Sequence, residues 1–370
     1  MHITHVTPSL DLSGGGVAAV VQTLAQQQSA IGLSAEVQTR RLRPNRARDI
    51  AAGSLRVMHM HGLWDPMFPK AALEAALSGT PYVVSPHGML EAADLAKSPR
   101  KKRIALATYQ GQILRRATCL HALTEAEAHD IRQVFPRAKI AVIPNGIRLS
   151  NIKNRAECSE KYILYLGRLN RKKGLTELIS GFAQWATSNT QAPCWTLKIA
   201  GWDEGGHLLE LKKQVATEGL NSRVHFLGPI TGEAKSALLT GAAALALTSH
   251  SEGLPLAILE AWAHGLPVIL SPACNIEPEG AGIMATPDPD AIAAALASLA
   301  DLPPEARAAM GAKGRHLVAE RYGIEAISRQ FRDLYHWIAG QGPCPDFVTL
   351  PPGRSVPPTV EPHPEPARSP

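Results

Sequence analysis

The feature that most constrains this chain is a repeated alternation of short β-rich runs with helical runs, laid down twice along 370 residues with one polar lapse between. In the first half, strands are expected at His2–Val6, Ala35–Thr39, Leu55–Met60, Tyr82–Ser85, Thr118–Ala122 and Ile140–Ile143, and a helix at Val17–Ala30 follows a glycine-rich loop. The pattern lapses in the polar stretch Leu149–Lys161 and then resumes. The second half gives strands at Tyr162–Leu166, Thr196–Ala200, Val224–Leu227, Ala244–Thr248 and Pro267–Ser271, with helices between them and three more at Ala291–Leu299, Glu305–Glu320 and Glu325–Ile338. Strands alternating with helices imply parallel sheets covered on both faces. At roughly 100–200 residues per domain, the length allows two such units. The expected division is 1–150, 151–322, a helix at 323–340 and a proline-rich tail, 341–370, too poor in apolar residues to order itself.

Composition narrows the class. The hydrophobic share is 45% and the charged share 19%, as in a globular protein. A formal charge of +6 suits an anionic ligand or surface; without zinc-finger spacing, an aromatic stacking motif or a long basic arm, nucleic acid is not expected as a partner. Cys119, Cys158, Cys194, Cys274 and Cys344 are scattered and never form C-x-x-C, which fits free thiols in a reducing compartment. No apolar run reaches the ~18–20 residues of a membrane span, and Met1–Leu12 lacks the apolar stretch of a signal peptide. A cytoplasmic location is expected.

The most informative segment is SHSEGLPLAILEAWAHGLPVI, Ser249–Ile269. A buried strand ends in a loop bearing Glu252 and Gly253. Pro255 then stands at the first helical position, and Gly265 can cap the far end in the left-handed conformation. The helix mouth, with Leu254 and Pro255, offers backbone N–H groups to a phosphate. Glu252 and Glu260 can both reach a ligand lying across it, where carboxylates accept hydrogen bonds from sugar hydroxyls. Spacing alone fits equally a glutamate that complements the helix dipole and a second on the surface. This segment resembles the E-x7-E signature of glycosyltransferase family 4, retaining enzymes of GT-B fold. The resemblance implies that Glu252 binds the donor sugar and Glu260 the nucleoside ribose.

In YILYLGRLNRKKGLTELISGFA, Tyr162–Ala183, Arg168 and Lys173 follow a strand end, where ligands of open α/β sheets bind. A solvated basic turn is the plain alternative. The segment is similar to the family's G-R-L-x-x-x-K-G motif, which implies that Arg168 and Lys173 grip the donor diphosphate; Arg171 and Lys172 could substitute. The loop LSGGGVAAVV, with Gly15 and Gly16, is similar to the family loop beside the donor phosphates. VVSPHGML looks like the family segment whose histidine contacts the donor sugar, which implies a site role for His87, although a lone histidine there also fits a packed structural residue. In HMHGLWDP, His59 and His61 are expected to face opposite ways and so to form no metal pair, with His61 on the acceptor side. IAGWDEGG, with Gly201, and VHFLGPI look like the family blocks that border the base; LTEAEAHDIRQ and VIPNGI are further resemblances. The resemblance runs from about Met1 to Ile338.

Asp288-Pro-Asp290 reads as helix capping by Asp290 and not as a metal-binding pair. With Arg168 and Lys173 as the cationic clamp, no metal or other cofactor is expected besides the nucleotide diphosphate sugar as co-substrate. The helical stretch Ser98–Ala117 opens with Arg100, Lys101, Lys102 and Arg103 and reads equally as a solvated basic helix or as a surface for anionic lipid. The family resemblance implies a hexosyl transfer, with retention, to a glycan or lipid-linked acceptor in surface polysaccharide or lipopolysaccharide assembly. A phosphorylase or sugar-nucleotide epimerase on the same fold, and a non-catalytic nucleotide-sugar binder, are the competing readings.

Overall fold

A computed structural model describes residues 1–11, 15–40, 55–149, 161–188 and 195–351. The first half runs β1 (His2–Val6), α1 (Gly15–Ala30), β2 (Ser34–Gln38), β3 (Arg56–His61), α2 (Met67–Ser78), β4 (Tyr82–Ser85), α3 (Ala92–Leu95), α4 (Pro99–Ala107), α5 (Tyr109–Arg116), β5 (Cys119–Ala122), α6 (Glu125–Val134) and β6 (Ile140–Val142). The second runs β7 (Lys161–Leu166), α7 (Leu175–Ser188), β8 (Trp195–Ala200), α8 (His207–Thr217), β9 (Val224–Gly228), α9 (Gly232–Gly241), β10 (Ala244–Leu247), α10 (Leu256–Ala263), β11 (Val268–Leu270), β12 (Gly282–Met284), α11 (Pro289–Asp301) and α12 (Pro304–Leu317). The chain closes with α13 (Ile324–Ile338) and β13 (Val348–Thr349). Most of the expected linker, residues 150–160, lies outside the described residues.

The first sheet has the order β13-β6-β5-β4-β3-β1-β2 and the second β12-β11-β10-β7-β8-β9. All pairings are parallel except that of β13 with β6. This is the doubly wound GT-B arrangement. Each sheet reverses its winding once, between β1 and β3 in the first and between β7 and β10 in the second. Ligands of open α/β sheets bind at the carboxyl ends of strands beside such reversals. In the second sheet the central strands are apolar on both faces; in β10 all four residues are buried, because helices cover both sides.

The last helix crosses back onto the first half. Ile327, Phe331, Leu334 and Tyr335 join the core that holds Ile3, Val57, Val83 and Ile143. At the crossing, the Ile147 N–H donates to the Tyr322 carbonyl (2.7 Å) and the Ile324 N–H to the Ile147 carbonyl (3.0 Å). Gly146 packs tightly there: a Cβ would lie 2.7 Å from Ile324 Cδ1 and 3.1 Å from Ile324 Cα and Ile327 Cβ, so these neighbours would have to shift.

Several expectations are corrected. Residues 341–351 are not an unstructured tail: Val348 pairs with Ala141 and is buried beside the first core. Residues 352–370 lie outside the described residues. The helix cap is Asp288, whose carboxylate accepts from the N–H groups of Asp290 and Ala291; Asp290 belongs to the first turn. The basic stretch 98–117 is two helices, broken at Thr108, where the Leu106 carbonyl approaches Gly111 so closely that a Cβ would stand 1.9 Å from it.

Candidate active site

The two sheet reversals face one cavity of about 400 Å³ between the halves. From the first half it is lined by Asp11, Gly16, Val17, His87 and Asn145 among others. From the second come Arg168, Lys173, Gly201, Glu252, Gly253, Leu254, Pro255 and Glu260. Gly15 opens α1, next to Gly16; residues 12–14 of the glycine loop lie outside the described residues.

The cations arrive from β7. Gly167 and Arg168 leave the strand, a single 3₁₀ turn carries Arg171–Lys173, and α7 begins after Gly174. Gly174 has φ +66°, and a Cβ there would lie 2.0 Å from the Thr248 carbonyl oxygen, so only glycine lets this loop pack on the end of β10. Lys173 Nζ then sits 2.5 Å from Glu252 Oε1, both side chains nearly buried. Arg168 pairs with Glu204 at 2.7 Å. Arg171 turns outward to Glu210, which removes it as a substitute clamp. Lys172 is held below the usual lysine range by burial and by Lys173 next to it.

The glutamates arrive from β10 and α10. Glu252 accepts from Ser249 Oγ (2.7 Å), and Asn275 Nδ2 donates to the carbonyls of Glu252 and Gly253 (2.5 and 3.1 Å), which fixes the loop. Pro255 is the residue before the helix and not its first; Gly265 takes the left-handed conformation at φ +64°. Glu260 lies inside α10 and pairs with Lys235 of α9 at 2.6 Å. The first turn of α10 adds Leu256 and Ala257 to the lining, and its end presents the positive pole of the helix. Gly201 lets β8 end against β7, since a Cβ would stand 1.7 Å from the Gly167 carbonyl oxygen.

Lys235, Asn145 and Ser249 support the site without being among its expected residues. A lone lysine in a helix has no motif. Asn145 lies in the quoted VIPNGI block, but its bond to the Leu254 carbonyl (3.0 Å) spans 109 residues. Only Ser249, three residues before Glu252, was within reach of a local argument.

His87 lines the cavity, but His61 does not. His61 is buried behind it and meets it through a ring-nitrogen bond of 3.2 Å. His59 and His61 share a face, with ring centroids 4.0 Å apart, because strand residues two apart project to the same side. The ligand atoms of His5, His59 and His61 lie within 4.8 Å of one another. Both ring nitrogens of each are already hydrogen-bonded, so the cluster has no set of free lone pairs aimed at one ion.

Burial holds these imidazoles neutral: His5 and His121 are pushed down to about 4 and His87 to about 3, and His59 and His61 are lowered too, with neighbouring histidines adding to the effect. In the unfolded chain each gains a proton below its ordinary 6.5. The folded state therefore binds fewer protons through that window, and stability is lost as pH falls from about 6.5 toward 4. Glu127 opposes this. Burial raises it to about 7, so its contribution is lost as pH rises from 4.5 to 7. Glu91, which burial also raises, acts in the same sense as Glu127, but five imidazoles outweigh these two carboxyls. The unfolding midpoint is expected to fall on acidification; a flat profile between pH 6.5 and 4 would show that these rings are already charged or hydrated.

Two facing doubly wound units, with carboxylates and cations converging on the cleft between them, define a glycosyltransferase of GT-B architecture. A model for "Glycosyl transferases group 1" matches residues 149–317, and one for "Glycosyl transferase 4-like domain" matches residues 43–146. The chain belongs to the group 1 glycosyltransferases of family 4. It is 29% identical over 297 residues to the GDP-mannose:cellobiosyl-diphosphopolyprenol alpha-mannosyltransferase of Xanthomonas campestris, covering 78% of this chain and 76% of that one. A D-inositol 3-phosphate glycosyltransferase of Salinispora tropica is 27% identical, over 70% of this chain and 59% of that protein. Sucrose-phosphate synthase from Thermosynechococcus elongatus shares the fold, with a TM-score of 0.74 at 22% identity over 92% of this chain and all of that one. Anabaena HepE in complex with UDP and glucose gives 0.70 at 18% identity, over 90% of this chain and 99% of that one.

Proposed function

We propose that this transferase moves a hexosyl group from a nucleotide diphosphate sugar to a hydroxyl of a sugar or lipid-linked oligosaccharide, with retention at the anomeric carbon. The observation that carries this reading is the meeting of Arg168, Lys173, Glu252 and Glu260 on one cavity. Arg168 offers a planar fork and Lys173 a point charge to the diphosphate. Negative charge grows on that diphosphate as the glycosidic bond breaks, and pre-placed cations stabilise it without reorganisation. Glu252 holds sugar hydroxyls and Glu260 the ribose. No side chain is assigned as nucleophile; the leaving phosphate takes the acceptor proton. The two cations stand where a metal would otherwise screen the diphosphate, so the reaction is proposed to be metal-independent.

The polyprenol-linked acceptor in the name of the Xanthomonas relative supports a lipid-linked acceptor and a role in exopolysaccharide or lipopolysaccharide assembly. Such an acceptor would be met at the inner face of the cytoplasmic membrane. No helix among the described residues is long and apolar enough to cross a membrane. Contact would instead run through α4. Arg100, Lys101 and Arg103 are exposed there beside Ile104, while Lys102 turns inward to Asp94 at 2.6 Å.

The test is a panel of UDP-, GDP-, ADP- and TDP-sugars. One donor is expected to raise the unfolding temperature by mass action, and with a polyprenol-diphosphate-linked acceptor the product anomer, read by NMR, is expected to match the donor's. An inverted product would overturn retention. Sugar release that needs free phosphate would make the protein a phosphorylase, donor isomerisation without an acceptor an epimerase, and binding without turnover a nucleotide-sugar carrier.

A further inference from the structure

The reversal point of the first sheet holds a cluster that the donor site does not account for. His5 is the last residue but one of β1, His59 and His61 lie in the last three residues of β3, Ser85 ends β4 and His121 lies in β5. All five side chains are buried, and with Gln28 of α1 and Tyr335 of α13 they form a continuous path. His121 Nε2 meets the Ile143 carbonyl at 2.7 Å and its Nδ1 meets Ser85 Oγ at 2.7 Å. Ser85 Oγ meets His59 Nε2 at 2.6 Å, and His59 Nδ1 meets the Tyr335 hydroxyl at 2.7 Å. Gln28 Nε2 lies 3.4 Å from that hydroxyl and Gln28 Oε1 lies 2.8 Å from His5 Nε2. His5 Nδ1 meets His61 Nε2 at 2.9 Å, and His61 Nδ1 meets His87 Nε2 at 3.2 Å.

We propose that this path is a hydrogen-bond relay of one fixed direction, which sets the tautomer of His87 and leaves its Nδ1 unprotonated toward the cleft. The direction follows from one end. A carbonyl oxygen only accepts, so His121 carries its proton on Nε2, and its Nδ1 must accept from Ser85. The Ser85 oxygen then accepts from His59 Nε2–H, and His59 Nδ1 accepts from the Tyr335 hydroxyl. The Tyr335 oxygen can now only accept, which turns the Gln28 NH₂ toward it and the Gln28 carbonyl oxygen toward His5. His5 therefore donates from Nε2 and accepts at Nδ1 from His61, and His61 accepts at Nδ1 from His87 Nε2–H. Each neutral imidazole has one donor and one acceptor, so no other assignment satisfies all eight bonds. Burial, which keeps these rings uncharged, agrees with this.

His87 Nδ1 has no partner among the described residues and is not a sealed atom, and the residue lines the cavity. As a bare lone pair it accepts from a hydroxyl and repels a phosphate oxygen. If the cleft is the sugar-transfer site proposed above, His87 therefore faces a sugar hydroxyl and not the diphosphate. His121, Ser85, His59, Tyr335, Gln28, His5 and His61 act as positioning residues.

The experiment is a long-range ¹H–¹⁵N correlation spectrum of the full chain carrying ¹⁵N-histidine, without substrate, with His87 assigned by the signal lost in His87→Gln. The expected wild-type result is a single His87 form protonated at Nε2. Ser85→Ala detaches the carbonyl anchor, so the path can run backward, and a second His87 form protonated at Nδ1 is expected to appear. Tyr335→Phe, which removes one hydroxyl, is expected to do the same. An Nδ1-protonated His87 in the wild type would overturn the relay, and so would variants that fold and keep one unchanged form. Zinc chloride is expected to leave the signals of His5, His59 and His61 in place; their displacement would mean that an ion, not the relay, uses those lone pairs. No turnover is read, so an inactive protein with this tautomer would refute the transferase reading and leave the relay standing.

Discussion

Replacing Lys173 with methionine is expected to lower kcat/KM for transfer by about 10²–10³-fold, the usual cost of removing one pre-placed group that stabilises developing negative charge. The same change leaves Glu252, only 8% exposed, without its counter-charge. Breaking a buried pair from one side costs about 3–5 kcal/mol of stability. The two effects separate in the double variant Lys173→Met, Glu252→Gln. It is expected to recover most of the stability in urea unfolding, because no lone buried charge remains, and to stay inactive, because neither the diphosphate nor the sugar is held. A transfer rate near the wild-type value for Lys173→Met would remove this lysine from the diphosphate grip and leave Arg168 alone in that role.

The second large effect is expected far from the cleft in sequence. Phe331 is nearly buried in α13, with its ring 5.0 Å from that of His121 and 5.4 Å from that of His59. Truncation to alanine is expected to cost about 3–5 kcal/mol through lost burial and the cavity left behind. The loss should register in the first half of the chain, because the helix completes that half's core. Hydrogen exchange is therefore expected to accelerate at the amides of β3 and β5. Acceleration confined to residues after 161 would show that α13 belongs energetically to the second half.

Much of this architecture was legible because alternating strand and helix signals are local and the motif glycines do local work. Gly174 and Gly265 stand where the backbone needs a left-handed residue or a close approach. The glutamate and lysine positions were legible for a different reason: they follow strand ends, and strand ends beside a winding reversal face the ligand. What was not legible depends on pairing across distance. Glu204, Lys235 and Asn145 find their partners 36, 25 and 109 residues away. The segment around Val348 was hidden by its prolines, which mask two apolar residues, Phe347 and Val348, that pack on the first core. The two-residue period of a strand puts His59 and His61 on one face, contrary to the expectation of opposite faces, and the cluster behind His87 depends on that period. The cap falls at Asp288 and not at Asp290, a shift of two residues that is within the ordinary error of helix boundaries.

The bonds of Ile147 to Tyr322 and Ile324 bring the return passage of the chain against the end of the outgoing one. Two bodies joined at one point can swivel in any direction; two bodies joined by neighbouring passages behave like a door on its pins. Rotation about the line through the paired segments keeps both hydrogen bonds, while twisting or sliding across it would tear them. Any closing of Arg168 and Glu252 against His87 that keeps both bonds is limited to that one rotation.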